Sequence, residues 1–149
     1  MSAAKLTRNN RARPVAEKWV FGAYDPQLGI GWIKRIRDRS RETLIETIQE
    51  MCLPETIIVS DGWSGYSGLE DYGFYHEVVV HEHHFVDPAT GIHTNNVENY
   101  WQRCKRRFKR MYGTSEELLE SHIDEFNWLE RYGKTLEERW NNWFLTFSI

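Results

Sequence analysis

The run TIIVS at 56–60 constrains the fold more than any other feature of this sequence. It is short and rich in β-branched residues, a pattern typical of a fully buried strand. Asp61 and Gly62 follow it directly, so the strand places a carboxylate at the carboxyl-terminal edge of a sheet. Open α/β folds bind ligands at that edge. The alternative interpretation of Asp61 is a turn-forming residue in an Asp-Gly pair.

Two apolar runs earlier in the chain predict a β-hairpin. WVFGAY at 19–24 precedes an Asp-Pro turn signal, and GIGWIKRIR at 29–37 alternates apolar residues with Lys and Arg. Ser40 stands before RETLIETIQEMC, in which apolar residues recur at helical spacing. The pattern therefore predicts a capped helix between the hairpin and the buried strand.

Strand and helix patterns also follow one another in the second half. HEVVVH at 76–81 predicts a further strand, and helical spacing returns from Asn95 onward. Ser115 is predicted to cap a helix that ends at Gly133. The first of these late helices carries one apolar stripe: Val97, Trp101, Cys104 and Phe108. The order of elements favours an α/β fold with helices packed against a small mixed sheet.

Charge is segregated along the chain. The net charge is −3, which by itself argues against a dedicated nucleic-acid binder. Residues 103–110 (RCKRRFKR) nevertheless hold six basic residues and no acid, which leaves 13 basic against 22 acidic residues elsewhere. Such a run either faces solvent or contacts a polyanion such as DNA, and its self-repulsion favours the polyanion. The candidate DNA contacts are Lys105, Arg106, Arg107, Lys109 and Arg110.

Glu98 has two interpretations. Asn95 and Glu98 have the spacing of a capping box, in which an acid at the third helical position reaches back to the cap. If the helix continues, Lys105 lies two turns further on almost the same face, about 10 Å away at ~1.5 Å per residue. That distance suits a lysine that contacts DNA beside a carboxylate-held metal ion. On spacing alone the cap is favoured.

Several classes of protein are disfavoured. No apolar run approaches the ~18 residues of a membrane span, and the N-terminus has no apolar signal segment. We therefore expect no membrane contact and an intracellular location, in the nucleus of a eukaryote or the cytoplasm of a prokaryote. Cys52 and Cys104 lack zinc-site spacing, and free thiols are expected.

Five stretches together resemble a known family. They are WVFGAYD, DRSRETLIETIQ, TIIVSDGWSGYSGL, HHFVDPATGIHTNNVENYW and YGTSEELLESHIDEFNW. In this order they resemble the transposase domain of the Merlin and ISXO-type bacterial insertion-sequence group. The resemblance runs from about Trp19 to Trp128, and its most discriminating part is the H-T-N-x-[IV]-E-x-x-W block ahead of a Lys.

The resemblance implies DDE chemistry on an RNase H-like fold. Three acids bind two divalent metal ions, Mg²⁺ or Mn²⁺, which activate the nucleophile and stabilise the leaving oxygen at a DNA phosphodiester. By resemblance Asp61 is the second acid, Glu98 the third, and Lys105 the basic residue that follows. Asn95 is a lesser candidate that would orient the same region.

One departure from the family pattern stands out. The family's first catalytic Asp lies on a strand before the W-V-F-G run, whereas no Asp precedes Trp19 here. We expect residues 1–18 to be a basic N-terminal arm, 19–133 the RNase H-like domain and 134–149 a helical tail. Only two strands are then expected before the first helix, and the fold is expected to be N-terminally truncated.

Three hypotheses follow from this departure. The first is the catalytic domain of a DDE transposase or its truncated copy, with DNA as substrate and Asp61 and Glu98 as metal ligands; without the first Asp it is expected to be catalytically incomplete. The second is a non-enzymatic DNA-binding or protein-interaction module that keeps the fold. The third is a gene fragment whose exposed sheet edge is covered by a partner or by homo-oligomerisation.

Overall fold

The computed structural model describes residues 2–6, 18–79 and 95–147, with the side chains of 2–6, 95 and 144–147 left out. Three strands, one helix, two strands and three helices follow one another, so the predicted mixture of strands and helices is confirmed. The elements are β1 Ser2–Leu6, β2 Lys18–Asp25, β3 Ile30–Ile36, α1 Arg41–Met51, β4 Ile57–Asp61, β5 Tyr75–Val79, α2 Asn95–Arg110, α3 Leu119–Tyr132 and α4 Leu136–Phe147. Two short 3₁₀ turns, Ser64–Tyr66 and Leu69–Tyr72, lie between β4 and β5.

The first three strands form an antiparallel sheet in the order β1-β2-β3. The predicted hairpin is confirmed, since Trp19 pairs with Ile36 and Asp25 with Ile30. The expectation of only two strands before the first helix is wrong, because Ser2–Leu6 pairs along its whole length with β2. No local pattern predicts β1, because the apolar residues of SAAKL do not alternate with polar ones. The segment is a strand because it pairs with β2.

The buried run becomes β4, which pairs in parallel with β5. The prediction of a fully buried strand is wrong, because successive residues point to opposite faces: Ile58 and Ser60 are fully buried, whereas Ile57 is 58% exposed and Val59 is half-buried. Asp61 is the last residue of the strand. The predicted strand at 76–81 is confirmed up to Val79, and its last two residues lie outside the described part of the chain. The described strands therefore form an antiparallel sheet and a parallel pair, where one mixed sheet was predicted.

Helices cover both faces of the antiparallel sheet. Successive residues of a strand point to opposite faces, so Val20 and Phe21 enter different clusters. Val20 packs with α2 and α3, while Phe21 packs with α1 and Ile58 of β4. The α1 layer therefore joins the antiparallel sheet to the strand that ends at Asp61.

The cap of α1 is confirmed, and the predicted start of α3 is wrong. Ser40 Oγ accepts a hydrogen bond of 3.3 Å from the Thr43 backbone N–H. Helix α3 begins at Leu119 rather than after Ser115. Glu116 instead forms ion pairs with Lys18 and Arg35, which hold the preceding segment against the sheet. The predicted end of the helix at Gly133 is confirmed.

Two buried side chains bond the backbone at the outer edge of β3. Asn127 of α3 accepts a 3.0 Å hydrogen bond from the Ile33 N–H and donates a 2.7 Å bond to the Ile33 carbonyl. Tyr100 of α2 donates to the Gly31 carbonyl at 3.0 Å. These side chains take the place of a further strand, which buried backbone groups would otherwise need.

Candidate functional site

Asp61 stands where the sequence placed it, at the carboxyl-terminal end of β4. Its Oδ1 atom is buried and has no hydrogen-bond partner among the residues that the structure describes. Arg107 Nε and Trp128 Nε1 share this property, but both are donors and neither binds a cation. A buried carboxylate oxygen without a donor is unfavourable unless a ligand supplies positive charge. Asp61 therefore has the chemistry of a metal ligand.

The buried Ser60 and the half-buried His76, on neighbouring strands, contact the backbone at Asp61. Ser60 Oγ donates its single proton to the Asp61 carbonyl at 2.8 Å, and it lies 2.9 Å from His76 Nε2. Because the hydroxyl proton is already used, His76 Nε2 must be the donor in this second bond. These contacts hold the end of β4 in one conformation. Ser60 was not singled out from the sequence, since a hydroxyl before an acid is not a distinctive signal.

The loop after Asp61 is held by stacked rings. The guanidinium carbon of Arg39 lies 3.9 Å from the centre of the Trp63 ring, and Tyr66 meets the same ring edge-on at 5.8 Å. A Cβ atom on Gly65 would lie 1.9 Å from the Trp63 ring, so only glycine fits there. This packing connects the start of α1 to the loop that carries Asp61. Arg39 was missed because its contact with Trp63 spans two elements.

The other candidate residues lie on α2. Glu98 is in its first turn and exposed, and Lys105 is exposed two turns later. The Lys105 ammonium lies 5.9 Å from the centre of the Trp101 ring. Asn95 is the first residue of α2, and because its side chain is not described the capping box stays a prediction.

Helix α2 is fixed to the sheet by close aromatic contacts. The predicted stripe is confirmed, since Val97, Trp101, Cys104 and Phe108 are all buried. Trp101 packs over Gly22 and Tyr100 packs over Gly31, where an added Cβ atom would lie within 2.8 Å of either ring. Burial raises the pKa of the Cys104 thiol to about 12, so the thiol stays protonated and unreactive at neutral pH. Both cysteines are free, as expected.

The donor set fits a divalent cation in part. Asp61 and Glu98 offer carboxylate oxygens, the ligands that Mg²⁺ prefers. Within residues 18–79 and 95–147, no group of three or more His, Cys, Asp or Glu side chains is arranged to hold a metal ion. The described residues therefore include two candidate ligands, Asp61 at the end of β4 and Glu98 on α2, and no cluster of three acids.

The basic segment of α2 is partly neutralised by α3. Arg103 pairs with Glu130 at 2.8 Å, and Arg107 pairs with Glu125 at 2.5 Å. The expectation that these six cations lack acidic partners is therefore wrong for two of them. Arg107 lowers the pKa of Glu125 through a hydrogen bond and charge attraction, opposed by partial burial. The other four cations are exposed and form no ion pair with a described acidic side chain: Lys105, Arg106, Lys109 and Arg110.

Comparison with known proteins gives one family and one curated relative. A family model described as an ISXO2-like transposase domain matches residues 2–131. An uncharacterized transposase-like protein of Haemophilus influenzae is 29% identical over 86 residues, which cover 58% of this chain and 68% of that protein. No solved structure matches. The family match includes β1 and ends within α3, ahead of α4. No helix in the described part of the chain is long and apolar enough to cross a membrane.

Proposed function

Because this chain belongs to the ISXO2-like transposase family, we propose that it acts on DNA with the metal-dependent chemistry of a DDE transposase. The proposed reaction is hydrolysis or transfer of a phosphodiester strand. The orphaned oxygen of Asp61 carries the proposal, since it fits a cation and no described side chain satisfies it. We propose further that the antiparallel sheet and the β4–β5 pair belong to one RNase H-like arrangement, supported by helices on both faces of the sheet.

Asp61 and Glu98 are the proposed ligands for Mg²⁺ or Mn²⁺. Such ions, when bound, supply Lewis-acid stabilisation of the attacking and leaving oxygens. The chain's own part is to present the Asp61 oxygen from a fixed strand end, with Ser60 and His76 holding the backbone behind it. Lys105 follows Glu98 on the same side of α2 and would neutralise a phosphate close to that carboxylate.

The exposed cations of α2 are the proposed DNA contacts. Lys105, Arg106, Lys109 and Arg110 face solvent, and their charge would release counterions from the phosphate backbone. Arg107 was also predicted to bind DNA, but its ion pair with Glu125 supports a role in holding α2 to α3. Asn95, at the start of α2, remains a prediction.

We propose that this chain by itself is a weak or inactive catalyst. No Asp precedes Trp19, and the residues of β1 (SAAKL) include no acid. The two-ion mechanism implied by the resemblance needs a third carboxylate. With Asp61 and Glu98 alone, a single ion would be held weakly.

The test is cleavage or strand transfer of DNA with Mg²⁺ or Mn²⁺, compared with the same assay in EDTA. Asp61→Asn and Glu98→Gln should each abolish whatever metal-dependent activity the chain shows. Glu117→Gln, which removes an exposed acid just ahead of α3, is the matched control and should leave activity unchanged. Activity that survives both Asp61→Asn and Glu98→Gln would sink the metal-site assignment.

A second candidate is a non-enzymatic module that binds DNA through α2. It is favoured by the lack of a three-acid cluster among the described residues and by the four exposed cations. Such a module would bind DNA in EDTA, would be unaffected by Glu98→Gln, and would show no metal-dependent cleavage.

A further inference from the structure

The cations of α2 lie on two different sides of the helix. At 3.6 residues per turn, Lys105 and Lys109 share the side that carries Glu98. Arg106 and Arg110 share the other exposed side with Arg103. The arginine side is turned toward the carboxyl-terminal half of α3, as the Arg103–Glu130 ion pair shows. One helix thus presents two separate basic surfaces.

The arginine side forms one wall of an open groove of about 620 Å³. The opposite wall comes from the end of α3 and the start of α4, where Lys134 and Arg139 lie. The base is aromatic and apolar, with Tyr24, Tyr100 and Phe126 beneath the charged rim. We call this feature the arginine groove, and its charged lining residues are Arg103, Arg106, Arg107, Arg110, Glu130, Lys134 and Arg139.

Charge in the arginine groove is not balanced. Glu130 compensates Arg103, and Glu125 compensates Arg107 from outside the lining. Of the described acidic side chains, none forms an ion pair with the other four cations of the groove: Arg106, Arg110, Lys134 and Arg139. Arg139 is positioned by a 2.8 Å hydrogen bond from its Nε to the Gly133 carbonyl, which leaves its terminal nitrogens available. Four cations gathered on one surface repel one another unless an anion binds between them.

We propose that Arg106 and Arg110, two of the proposed DNA contacts, act together with Lys134 and Arg139, and that the arginine groove binds the phosphate backbone of DNA as a contact surface separate from Asp61 and Glu98. This inference rests on the proposed action on DNA. Arg106 and Arg110 are one turn apart, a rise of about 6 Å, which is close to two steps of about 3.4 Å between successive phosphates of one strand. Glu98 lies about 12–18 Å away from them along the helix axis, at about 1.5 Å per residue.

The cations of the arginine groove lie partly inside and partly outside the stretch of sequence that matches the family model. Arg106 and Arg110 lie within it, while Lys134 and Arg139 lie beyond residue 131. DNA held here would therefore be bound by a surface that the matched domain forms only in part. Cations along an open groove suit a long polyanion, since contacts to phosphates position a nucleic acid without reading its bases.

The experiment measures binding of a labelled duplex of arbitrary sequence in EDTA, over a series of salt concentrations. The logarithm of the binding constant decreases linearly with the logarithm of the salt concentration. For each phosphate that is no longer neutralised, this slope should become shallower by about 0.9, and affinity at 0.1 M salt should fall by close to tenfold. Arg110→Gln on α2 and Arg139→Gln on α4 should each show this reduction, and the double variant should show about twice the change in slope. Arg131→Gln removes an exposed arginine of α3 that does not line the groove, and it should leave the slope unchanged.

Arg139→Lys separates charge from architecture. It keeps the positive charge, so binding should recover even if the hydrogen bond to Gly133 is broken, and thermal melts establish that each variant is folded. If Arg139→Gln and Lys134→Gln both keep the wild-type salt dependence, the arginine groove does not bind DNA. The proposed function would still stand in that case. Loss of cleavage in Asp61→Asn with unchanged metal-free binding would support two separate surfaces.

Discussion

Asn127 and Asp61 are two polar side chains at the edges of the sheets, and they differ in whether their polar atoms are hydrogen-bonded. Asn127 is 2% exposed, and both atoms of its amide bond the backbone of Ile33. Asp61 is half-buried, and its Oδ1 has no partner among the described residues. A buried polar group left unpaired costs about 1–3 kcal/mol, so a fold keeps one only where something else requires it. Asn127 therefore serves the fold, and Asp61 is available for a ligand.

The largest expected effect comes from Asn127→Leu. It should lower the free energy of unfolding by about 2–6 kcal/mol, because the N–H and carbonyl of Ile33 are each left unpaired at about 1–3 kcal/mol. Urea unfolding measures this change. Asn99→Leu, on the exposed side of α2, is the matched control and should change stability by less than about 0.5 kcal/mol. Equal effects in both variants would mean that Asn127 has no special role in the fold.

Alanine substitutions at two glycines test how tightly each region is packed. Gly31→Ala places a Cβ atom 2.4 Å from the Tyr100 ring and should destabilise by about 1–3 kcal/mol through overpacking. Gly62→Ala, next to Asp61, places its Cβ at an ordinary 3.6 Å from Val78 and should be nearly neutral. Thermal melts of the pair give the comparison. Strong destabilisation by Gly62→Ala would mean that the Asp61 end is as tightly packed as the Asn127 edge.

Metal binding should appear as added stability. At ten times its dissociation constant, Mg²⁺ should stabilise the wild-type chain by about 1.4 kcal/mol, from RT ln(1 + [L]/Kd). Asp61→Asn should lose this response, and without metal it should be no less stable than wild type, since it removes a buried charge. Asp71→Asn, an exposed acid nearby, should respond like wild type. A full Mg²⁺ response in Asp61→Asn would contradict the assignment of this oxygen.

The smallest expected effect concerns the ion pair that holds α2 to α3. The pKa of Glu125 is lowered in the folded chain, so its contribution is present above the ordinary glutamate pKa. It disappears as pH falls through the lowered value. Glu125→Gln should therefore cost a few tenths of a kcal/mol at neutral pH, as exposed pairs do, and the cost should vanish in acid. Unfolding curves at pH 7 and in acid measure it, and a cost that persists in acid would point to poorer packing.

Local patterns made much of the fold predictable. The hairpin has alternation on both strands, Ser40 has a capping hydroxyl, and the apolar stripe of α2 repeats at helical spacing. Each of these signals lies within a few residues of the element that it specifies. Asp61 was placed correctly for the same reason, because a short β-branched run predicts a strand whose end lies at the edge of a sheet.

Interactions between distant segments account for what sequence reasoning missed. Strand β1 exists because β2 pairs with it, and α3 starts late because Glu116 is drawn to Lys18 and Arg35. The Asn127 bonds join positions 94 residues apart, and a lone Asn in a helix gives no sign of them. The stacking of Arg39 on Trp63 is equally non-local. The arginine groove required knowing which side of α2 faces α3.

The closed edge of β3 also bears on how the chain behaves at high concentration. An open strand edge is a template on which another molecule adds its own strand, the first step toward amyloid-like stacking. On β3 the amide of Asn127 imitates a neighbouring strand and occupies the site where a second molecule would attach. The Asn127 side chain therefore prevents the addition of a strand at Ile33, and we expect it to limit self-association through this edge of the sheet.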